Sequence, residues 1–249
     1  MNAADEPVPE KTAILVWDLP TRILHWALAG TSGGALAIGL TVEKEHPLFR
    51  WHVILGVMAG FFVVLRLIWG VIGTKYARFT HFPLRPTMLG RYCRHLFRRD
   101  WRDFPGLNPA AAWVSTGVLV AVGLLVLTGP GFGGKRPGEA HKLPAYALLG
   151  LIALHAVELT CCSIAYRENR FATMITGRRR GKPEDAIASA MPLRAIALVV
   201  GSSLWIGALL GGYDAKAGTL RIPLTGISLH LEAEGSERDF FGRLRRRHD

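Results

Sequence analysis

Residues 51–72 read WHVILGVMAGFFVVLRLIWGVI, an apolar run whose only formally charged side chain is Arg66. A helix needs about 20 apolar residues to cross the hydrocarbon core of a bilayer. Four further stretches meet this requirement, so the sequence predicts membrane-spanning helices at 20–40, 51–72, 110–128, 143–165 and 195–213. Buried helices of a soluble protein are the alternative. Such helices keep a polar face, whereas residues 195–212 carry no charge at all.

The composition combines strong basicity with high hydrophobicity. The 249 residues carry 30 Lys and Arg against 19 Asp and Glu, a formal net charge of +11, yet 50% of them are hydrophobic. A disordered chain lacks this much apolar content, and a soluble nucleic-acid-binding domain reaches a high pI by being polar. The composition therefore excludes nucleic acid as the expected partner and favours the lipid bilayer.

The positive charge is concentrated in two connecting segments. Residues 73–109 hold eight Lys and Arg against two acids, and residues 166–194 hold seven against three. Residues 41–50 and 129–142 hold only two and three basic side chains. Alternating spans place both strongly basic segments on one side, which the positive-inside rule assigns to the cytoplasm. We therefore expect a multi-pass protein with a cytoplasmic N-terminus and a C-terminus outside the cytoplasm.

Four of the nine histidines lie in or at the edge of the predicted spans. Ionisable and metal-binding groups at membrane depth are functional by default, because hydrocarbon offers them no partner. They are His25, His52, His141 and His155.

The predicted depths sort these histidines into two pairs. His52 and His141 each open a span on the outer side, and we call them the outer pair. His25 and His155 lie toward the inner side, and we call them the inner pair. Two opposed histidines on one iron are how a helix bundle binds a b-type haem. The four histidines do not form the clustered HxxxH or HxxHH motifs of a di-iron hydroxylase. They also do not belong to an HExxH or CxxC motif of a zinc site.

Several short strings resemble one family, the bacterial cytochrome b561 and nickel-iron hydrogenase b-type cytochrome family. They follow the order that this family shows, and they cover roughly residues 16–180. The strings are Val16-Trp-Asp-Leu-Pro-Thr-Arg-Ile-Leu-His-Trp26, Trp51-His52, Arg66-Leu-Ile-Trp-Gly70, Tyr76-Ala-Arg-Phe79, Asn108-Pro109, Thr128-Gly129, Arg167-Glu-Asn169 and Met174-Ile-Thr-Gly-Arg178.

The resemblance implies a four-helix bundle that holds two b haems through four histidines in a bacterial inner membrane. Carried over, these ligands fall on the inner and outer pairs, in agreement with the depth argument. The chain departs from the family pattern at Glu158, where relatives carry a small residue, and at Tyr166, where they often carry histidine. The fifth span and the tail lie outside the resemblance.

Charged side chains near the four histidines are candidates for supporting roles. Arg66 and Glu158 lie at similar predicted depths. One interpretation is that Arg66 binds a haem propionate and Glu158 passes protons to or from quinone, and the alternative is a simple ion pair. Arg22 and Arg50 are further candidates for propionate binding, with positive-inside surface charge as the alternative.

The predicted fold is all-α, an integral membrane four-helix haem-binding bundle with an additional fifth transmembrane helix. The predicted organisation is a cytoplasmic segment at 1–19, the di-haem cytochrome b domain at 20–180, a linker and fifth helix at 181–213, and an extracytoplasmic tail at 214–249. Two alternatives remain for the tail. It contains a short strand near 220–224 and a basic interfacial helix near 240–247, or it is partly disordered.

The predicted function is transmembrane electron transfer between the quinone pool and a periplasmic redox partner through two b haems. A hydrogenase or dehydrogenase partner sends electrons inward to quinone, whereas a reductase or c-type cytochrome draws them out. A stand-alone superoxide:quinone oxidoreductase is the second hypothesis. A membrane anchor or transporter that uses its histidines without haem is the third. The sequence alone leaves open whether the chain is itself an enzyme.

Overall fold

The computed structural model describes residues 12–98, 100, 104–129 and 139–231. Seven helices lie in these described residues. They are α1 (Leu19–Thr41), α2 (Arg50–Ile72), α3 (Pro86–Phe97), α4 (Pro109–Thr128), α5 (Glu139–Tyr166), α6 (Thr173–Thr176) and α7 (Pro192–Gly211).

Five of these helices, α1, α2, α4, α5 and α7, are long and apolar enough to cross a membrane. This confirms the five predicted spans and the all-α class. Their surfaces carry large apolar side chains that a soluble protein would cover, such as Ile164, Leu193 and Leu204, which are 74%, 80% and 71% exposed. These side chains provide a surface suited to lipid.

Local sequence explains where the spanning helices begin. Asp18 precedes α1, and its carboxylate accepts a hydrogen bond from the backbone N–H of Thr21 at 2.7 Å. Asn108 does the same for α4, with its side-chain oxygen 2.9 Å from the N–H of Ala111. Helix α5 begins at Glu139, four residues before the expected Leu143, and continues through Pro144.

Two short antiparallel sheets accompany the helices. Strands β1 (Thr12–Leu15) and β2 (Arg178–Gly181) pair with Thr12 opposite Gly181. Strands β3 (Tyr213–Asp214), β4 (Thr219–Arg221) and β5 (Ser228–His230) form a meander in the order β3-β4-β5. Strand β4 is the short strand that was expected in the tail. The basic interfacial helix expected near 240–247 lies outside the described residues.

Helix α3 and the β1–β2 pair were not predicted. Helix α3 lies inside the basic segment between α2 and α4, where exposed Arg91 and Arg94 alternate with a buried Tyr92. The many arginines in this segment give it the composition of a loop. Strands β1 and β2 are each four residues long and lie far apart in the chain, so no local sequence pattern predicts their pairing.

The chain divides into two compact units. Unit 1 takes the described residues within Met1–Trp26, Val64–Leu119 and Gly150–Ile196, and unit 2 takes those within Ala27–Val63, Val120–Leu149 and Ala197–Asp249. Each unit has an apolar cluster of its own. In unit 1 the cluster is Ile14, Val16, Trp17, Tyr76 and Ile187, and in unit 2 it is Val53, Ile54, Leu209, Leu220, Ile222 and Leu229.

Candidate metal centres

The inner pair lies within unit 1. His25 is in the second turn of α1, and His155 is on α5. Their ring centroids are 6.4 Å apart, and the ring planes are inclined by 61°. The two imidazoles therefore approach each other closely enough for both to bind one metal ion between them.

The outer pair lies within unit 2. His52 is in the first turn of α2, and His141 is in the first turn of α5. Their ring centroids are 6.0 Å apart, with an interplanar angle of 74°. Each unit thus contains one pair, and the structure brings together the same partners that the depth argument matched.

Both separations suit two imidazoles on one iron. An imidazole nitrogen binds a first-row metal ion at about 2 Å, so two opposed rings on one metal have centroids roughly 6 Å apart. Among the described residues no group of three or more His, Cys, Asp or Glu side chains is arranged to hold a metal ion. A centre with two protein ligands matches haem, because the porphyrin supplies the other four nitrogens.

The ring of His52 is fixed by helix α1. Its Nδ1 lies 2.8 Å from the backbone carbonyl oxygen of Ala35. Because a carbonyl oxygen only accepts, Nδ1 carries the proton and Nε2 keeps the lone pair that a metal requires. A side chain at Gly39 would place its Cβ 2.8 Å from Cε1 of the same ring, so this close approach requires glycine.

The ring of His141 is fixed by helix α4. Its Nδ1 lies 3.2 Å from the hydroxyl oxygen of Thr128. That hydroxyl donates its own proton to the carbonyl oxygen of Leu124 at 2.7 Å. The hydroxyl oxygen therefore accepts from Nδ1–H of His141, and the same ring also hydrogen-bonds to the backbone of Leu125.

The inner pair is held differently. Nδ1 of His155 is buried and has no hydrogen-bond partner among the described residues. Unit 1 also contains a polar cluster centred on Asp18, which is fully buried. Its carboxylate accepts hydrogen bonds from the indole of Trp69 at 3.2 Å, from the hydroxyl of Thr74 and from the N–H of Thr21. No sequence signal identified this buried carboxylate.

The three candidate arginines occupy different settings. Arg66 donates to the carbonyl of Ala77 at 3.1 Å, and its Nη1 is buried without a partner in the described part of the chain. Nε of Arg22 is buried and equally unpartnered among these residues. Arg50 instead donates to the hydroxyl of Tyr213 at 3.4 Å and lies over its ring. Arg22 and Arg66 thus retain buried donors that an anionic group could accept from.

Glu158 sits in a polar cluster of unit 1. Its Oε1 accepts from the amide of Asn108 at 2.5 Å and from the thiol of Cys162 at 3.1 Å. Its Oε2 is buried and has no partner among the described residues. Arg66 and Glu158, for which an ion pair was the alternative, each have partners of their own and do not pair with each other in the described structure.

Helix α3 contributes to the Glu158 cluster through Tyr92. The Tyr92 hydroxyl lies 3.5 Å from Sγ of Cys162, whose single proton is directed at Glu158, so the tyrosine donates. Burial and this hydrogen bond raise the pKa of Tyr92 above its usual range, which keeps the hydroxyl protonated. No sequence signal identified Tyr92, whereas Asn108 was visible as part of the Asn108-Pro109 string.

The glycines of the spans divide into two groups. A Cβ added at Gly34 or Gly60 would lie 3.0 Å from the side chain of Leu55 or Val126, so these glycines permit close helix packing. At Gly33 and Gly56 nothing lies within 4 Å of an added Cβ. Gly56 is one turn from His52 on the same face of α2. The open space at that position suits a flat macrocycle beside its ligand.

Comparison with known proteins identifies one family. A model of the prokaryotic cytochrome b561 family matches residues 16–177 of the chain. This region contains both histidine pairs, the three candidate arginines and Glu158, and it ends before α7. No curated protein and no solved structure matches the chain.

Proposed function

The chain belongs to the prokaryotic cytochrome b561 family of membrane proteins that bind b-type haem, and from this premise we propose that it carries electrons between membrane quinone and a periplasmic redox protein. The observation that carries the proposal is the pair of opposed histidines in each unit, with ring centroids 6.4 and 6.0 Å apart. Two haems, one per pair, give the chain two redox centres.

Each pair would hold one haem b through its two imidazole rings. The haem, when bound, provides one-electron chemistry, and the protein sets its position, orientation and surroundings. The bonds from His52 to Ala35 and from His141 to Thr128 support this role, because they fix the orientation of both rings. Two histidine ligands for each haem would suit electron transfer better than the binding of an external ligand.

The buried arginines bind the haem propionates. Arg66 and Arg22 have buried N–H groups without partners among the described residues, and a propionate carboxylate satisfies such donors with charge-assisted hydrogen bonds. Both arginines belong to unit 1, which contains the inner pair. Arg50 is in unit 2 and is the corresponding candidate for the outer haem.

Glu158 exchanges protons with quinone. Reduction of a quinone to quinol takes two electrons and two protons, so a site of quinone turnover needs a protonatable group at membrane depth. Glu158 has one carboxylate oxygen held by Asn108 and Cys162 and a second oxygen that is buried and unpartnered in the described residues. The chain of hydrogen bonds from Tyr92 through Cys162 to Glu158 supports a route by which the carboxylate is reprotonated.

The topology follows the charge distribution. The two most basic segments, 73–109 and 166–194, face the cytoplasm of the bacterial inner membrane, as does the N-terminus. The C-terminus and the β3-β4-β5 meander face the periplasm. The outer pair is then the one nearer the periplasmic partner, and Glu158 is reached from the inner side.

Reconstitution into liposomes that contain ubiquinone tests this function. A membrane-impermeant reductant added outside should reduce both haems and then produce quinol, and His52→Ala or His155→Ala should abolish quinol formation. His230→Ala is the matched control, because His230 is an exposed histidine of β5 outside the spans. Absence of a Soret band in protein from haem-replete cells would contradict the proposal.

The same preparation separates the partner hypotheses. Co-purification of a periplasmic cytochrome or dehydrogenase that reduces the outer haem supports a docked partner. Quinol formation driven by superoxide, with no second protein present, would instead select the stand-alone superoxide:quinone oxidoreductase.

A further inference from the structure

We propose that the exposed face of α3 binds the phosphate groups of anionic phospholipids at the membrane surface where α5 ends. Arg91, Arg94 and Arg98 bind the phosphates, and Phe97 contacts the acyl chains beside them. The inference goes beyond the proposed function and needs neither haem nor quinone. It requires only that the long apolar helices span a membrane.

Contacts within unit 1 place α3 at the level where one spanning helix ends and another begins. The hydroxyl of Tyr92 lies 3.5 Å from Sγ of Cys162. Cys162 is four residues from the end of α5, which is about 6 Å along the helix axis. The side-chain amide of Asn108, the residue before α4, lies 3.6 Å from the same sulfur. Because α5 ends and α4 begins at this level, α3 lies at the depth of the lipid headgroups.

Helix α3 is amphipathic, and its apolar side faces the protein. Tyr92 is buried, and Leu89 and Leu96, which lie on the same side of the helix, are half-buried. The ring of Tyr92 meets the ring of Phe104 edge-on, with the two centroids 5.9 Å apart. A helix that binds a membrane by itself turns its apolar side toward the lipid. In α3 the protein covers that side, so the opposite side is left for the membrane surface.

The exposed side of α3 carries three arginines. Arg91, Arg94 and Arg98 are spaced by three and four residues, which places them on one face of the helix. All three are exposed, and none forms an ion pair with another described residue. The carboxylate of Asp100, two residues after Arg98, is bound instead by His95 at 2.7 Å. A guanidinium binds a phosphate through two parallel N–H groups, so a row of three such arginines suits the phosphates of anionic lipids.

Exposed apolar side chains beside the arginines favour lipid over a soluble partner. Phe97 follows Arg94 by three residues on the same side of α3 and is 87% exposed. Ile164 of α5, two residues beyond Cys162, is 74% exposed, so the apolar surface continues past the level at which α3 contacts α5. A soluble acidic protein would pair with the arginines and leave this apolar surface in water. Phospholipids satisfy both, with phosphates at the guanidinium groups and acyl chains at the apolar side chains.

Native mass spectrometry of the whole protein tests the inference, because it resolves individual lipid-binding events. Phosphatidylglycerol is the anionic probe, and phosphatidylcholine with the same acyl chains is the uncharged one. The α3 variant combines Arg91→Gln, Arg94→Gln and Arg98→Gln. The control, called the β2 variant, also removes three exposed positive charges from unit 1. It combines Arg178→Gln, Arg180→Gln and Lys182→Gln.

The unmodified protein should bind phosphatidylglycerol more tightly than phosphatidylcholine. A basic side chain near an anionic lipid surface contributes about a fivefold preference, so the α3 variant should weaken the first phosphatidylglycerol-binding event by at least about that factor. Phosphatidylcholine binding should not change, and the β2 variant should keep both affinities. Phe97→Ala should weaken both lipids equally, because both carry the same acyl chains. Circular dichroism should be the same for all variants, since the replaced side chains are exposed.

The inference is overturned if the unmodified protein shows no preference for phosphatidylglycerol, or if the α3 variant keeps that preference. Either result would leave the arginines to an acidic protein. An equal loss in the α3 and β2 variants would also overturn it, because the lipid would then respond to net charge rather than to α3. None of these results concerns haem content or quinone turnover, so they leave the proposed function intact.

Discussion

The two histidine pairs have nearly the same ring separation, 6.4 Å at the inner pair and 6.0 Å at the outer pair, but their surroundings differ. The outer rings are held by backbone and hydroxyl groups of neighbouring helices, at Ala35 and Thr128. The inner pair shares its unit with a buried carboxylate, the Glu158 cluster and two arginines whose buried donors have no partner among the described residues. Two histidines are therefore paired once beside backbone and hydroxyl groups and once in a unit with buried charged groups.

Under the proposed function, this difference corresponds to separate roles for the two pairs. A site that only passes electrons needs fixed ligands and little else. A site that couples electrons to protons needs ionisable groups at membrane depth. The outer pair fits the first description, and the inner pair, with Glu158 three residues from His155, fits the second.

The largest expected effect comes from a substitution that displaces a histidine of the outer pair and leaves the inner pair in place. Gly39→Ala places a Cβ 2.8 Å from Cε1 and 2.9 Å from Nδ1 of His52, so the ring must move and its bond to Ala35 is lost. Haem analysis should find one haem per chain instead of two, with the inner haem retained. Gly30→Ala is the control, since it lies on the same helix with nothing within 4 Å of an added Cβ. Two haems in Gly39→Ala would show that the close approach is not needed.

The second prediction concerns unit 1, which contains the inner pair. Asp18→Asn replaces an acceptor of three hydrogen bonds by an amide that must present N–H to one of three donors. The expected loss is about 1–3 kcal/mol of unfolding free energy, with the inner haem released at lower denaturant than the outer haem. Asp214→Asn is the matched control, because Asp214 accepts from two backbone N–H groups in an exposed turn of unit 2. Simultaneous release of both haems would contradict this account.

A third change leaves both haems in place and affects proton transfer only. Glu158→Gln should slow quinone turnover by roughly 100-fold, since positioned acid–base groups contribute about this much. Reduced-minus-oxidised spectra should be unchanged at both pairs. Glu139→Gln, at the exposed start of the same helix, should have normal turnover. Normal turnover in Glu158→Gln would exclude the proton role.

The smallest expected effect is at the contact between Arg50 and Tyr213 in unit 2. Tyr213→Phe removes a 3.4 Å hydrogen bond from Arg50 but keeps the aromatic ring beneath the guanidinium. The free energy of unfolding should change by no more than about 0.5 kcal/mol. Haem content measured in parallel should stay at two per chain. Loss of the outer haem would instead mean that this contact positions Arg50 for a propionate.

The spans and the histidine pairing could be read from the sequence. An apolar run as long as 51–72 predicts a membrane span directly. Because a helix rises by a constant distance per residue, sequence position gives depth, and His52 and His141 could be matched from the sequence. The hydrogen bonds of Asp18 and Asn108 at the starts of α1 and α4 are equally short-range.

The surroundings of the pairs could not be read in the same way. The bond from His52 to Ala35 depends on the rotation and contact of two helices, which hydropathy does not encode. Tyr92 hydrogen-bonds to Cys162, which lies 70 positions further along the chain. Its helix, α3, contains several arginines and therefore has the composition of a loop. Strands β1 and β2 pair over a still greater separation and carry no alternating pattern of their own.

The amount of haem per chain in the purified protein tests the central claim most directly. Pyridine haemochrome analysis, combined with protein quantification, should give two b haems per chain, and His25→Ala and His52→Ala should each give one. The remaining haem should differ in spectrum between the two variants, because each retains a different pair. One haem or none in the unmodified protein, or two in either variant, would contradict the assignment of one haem to each histidine pair.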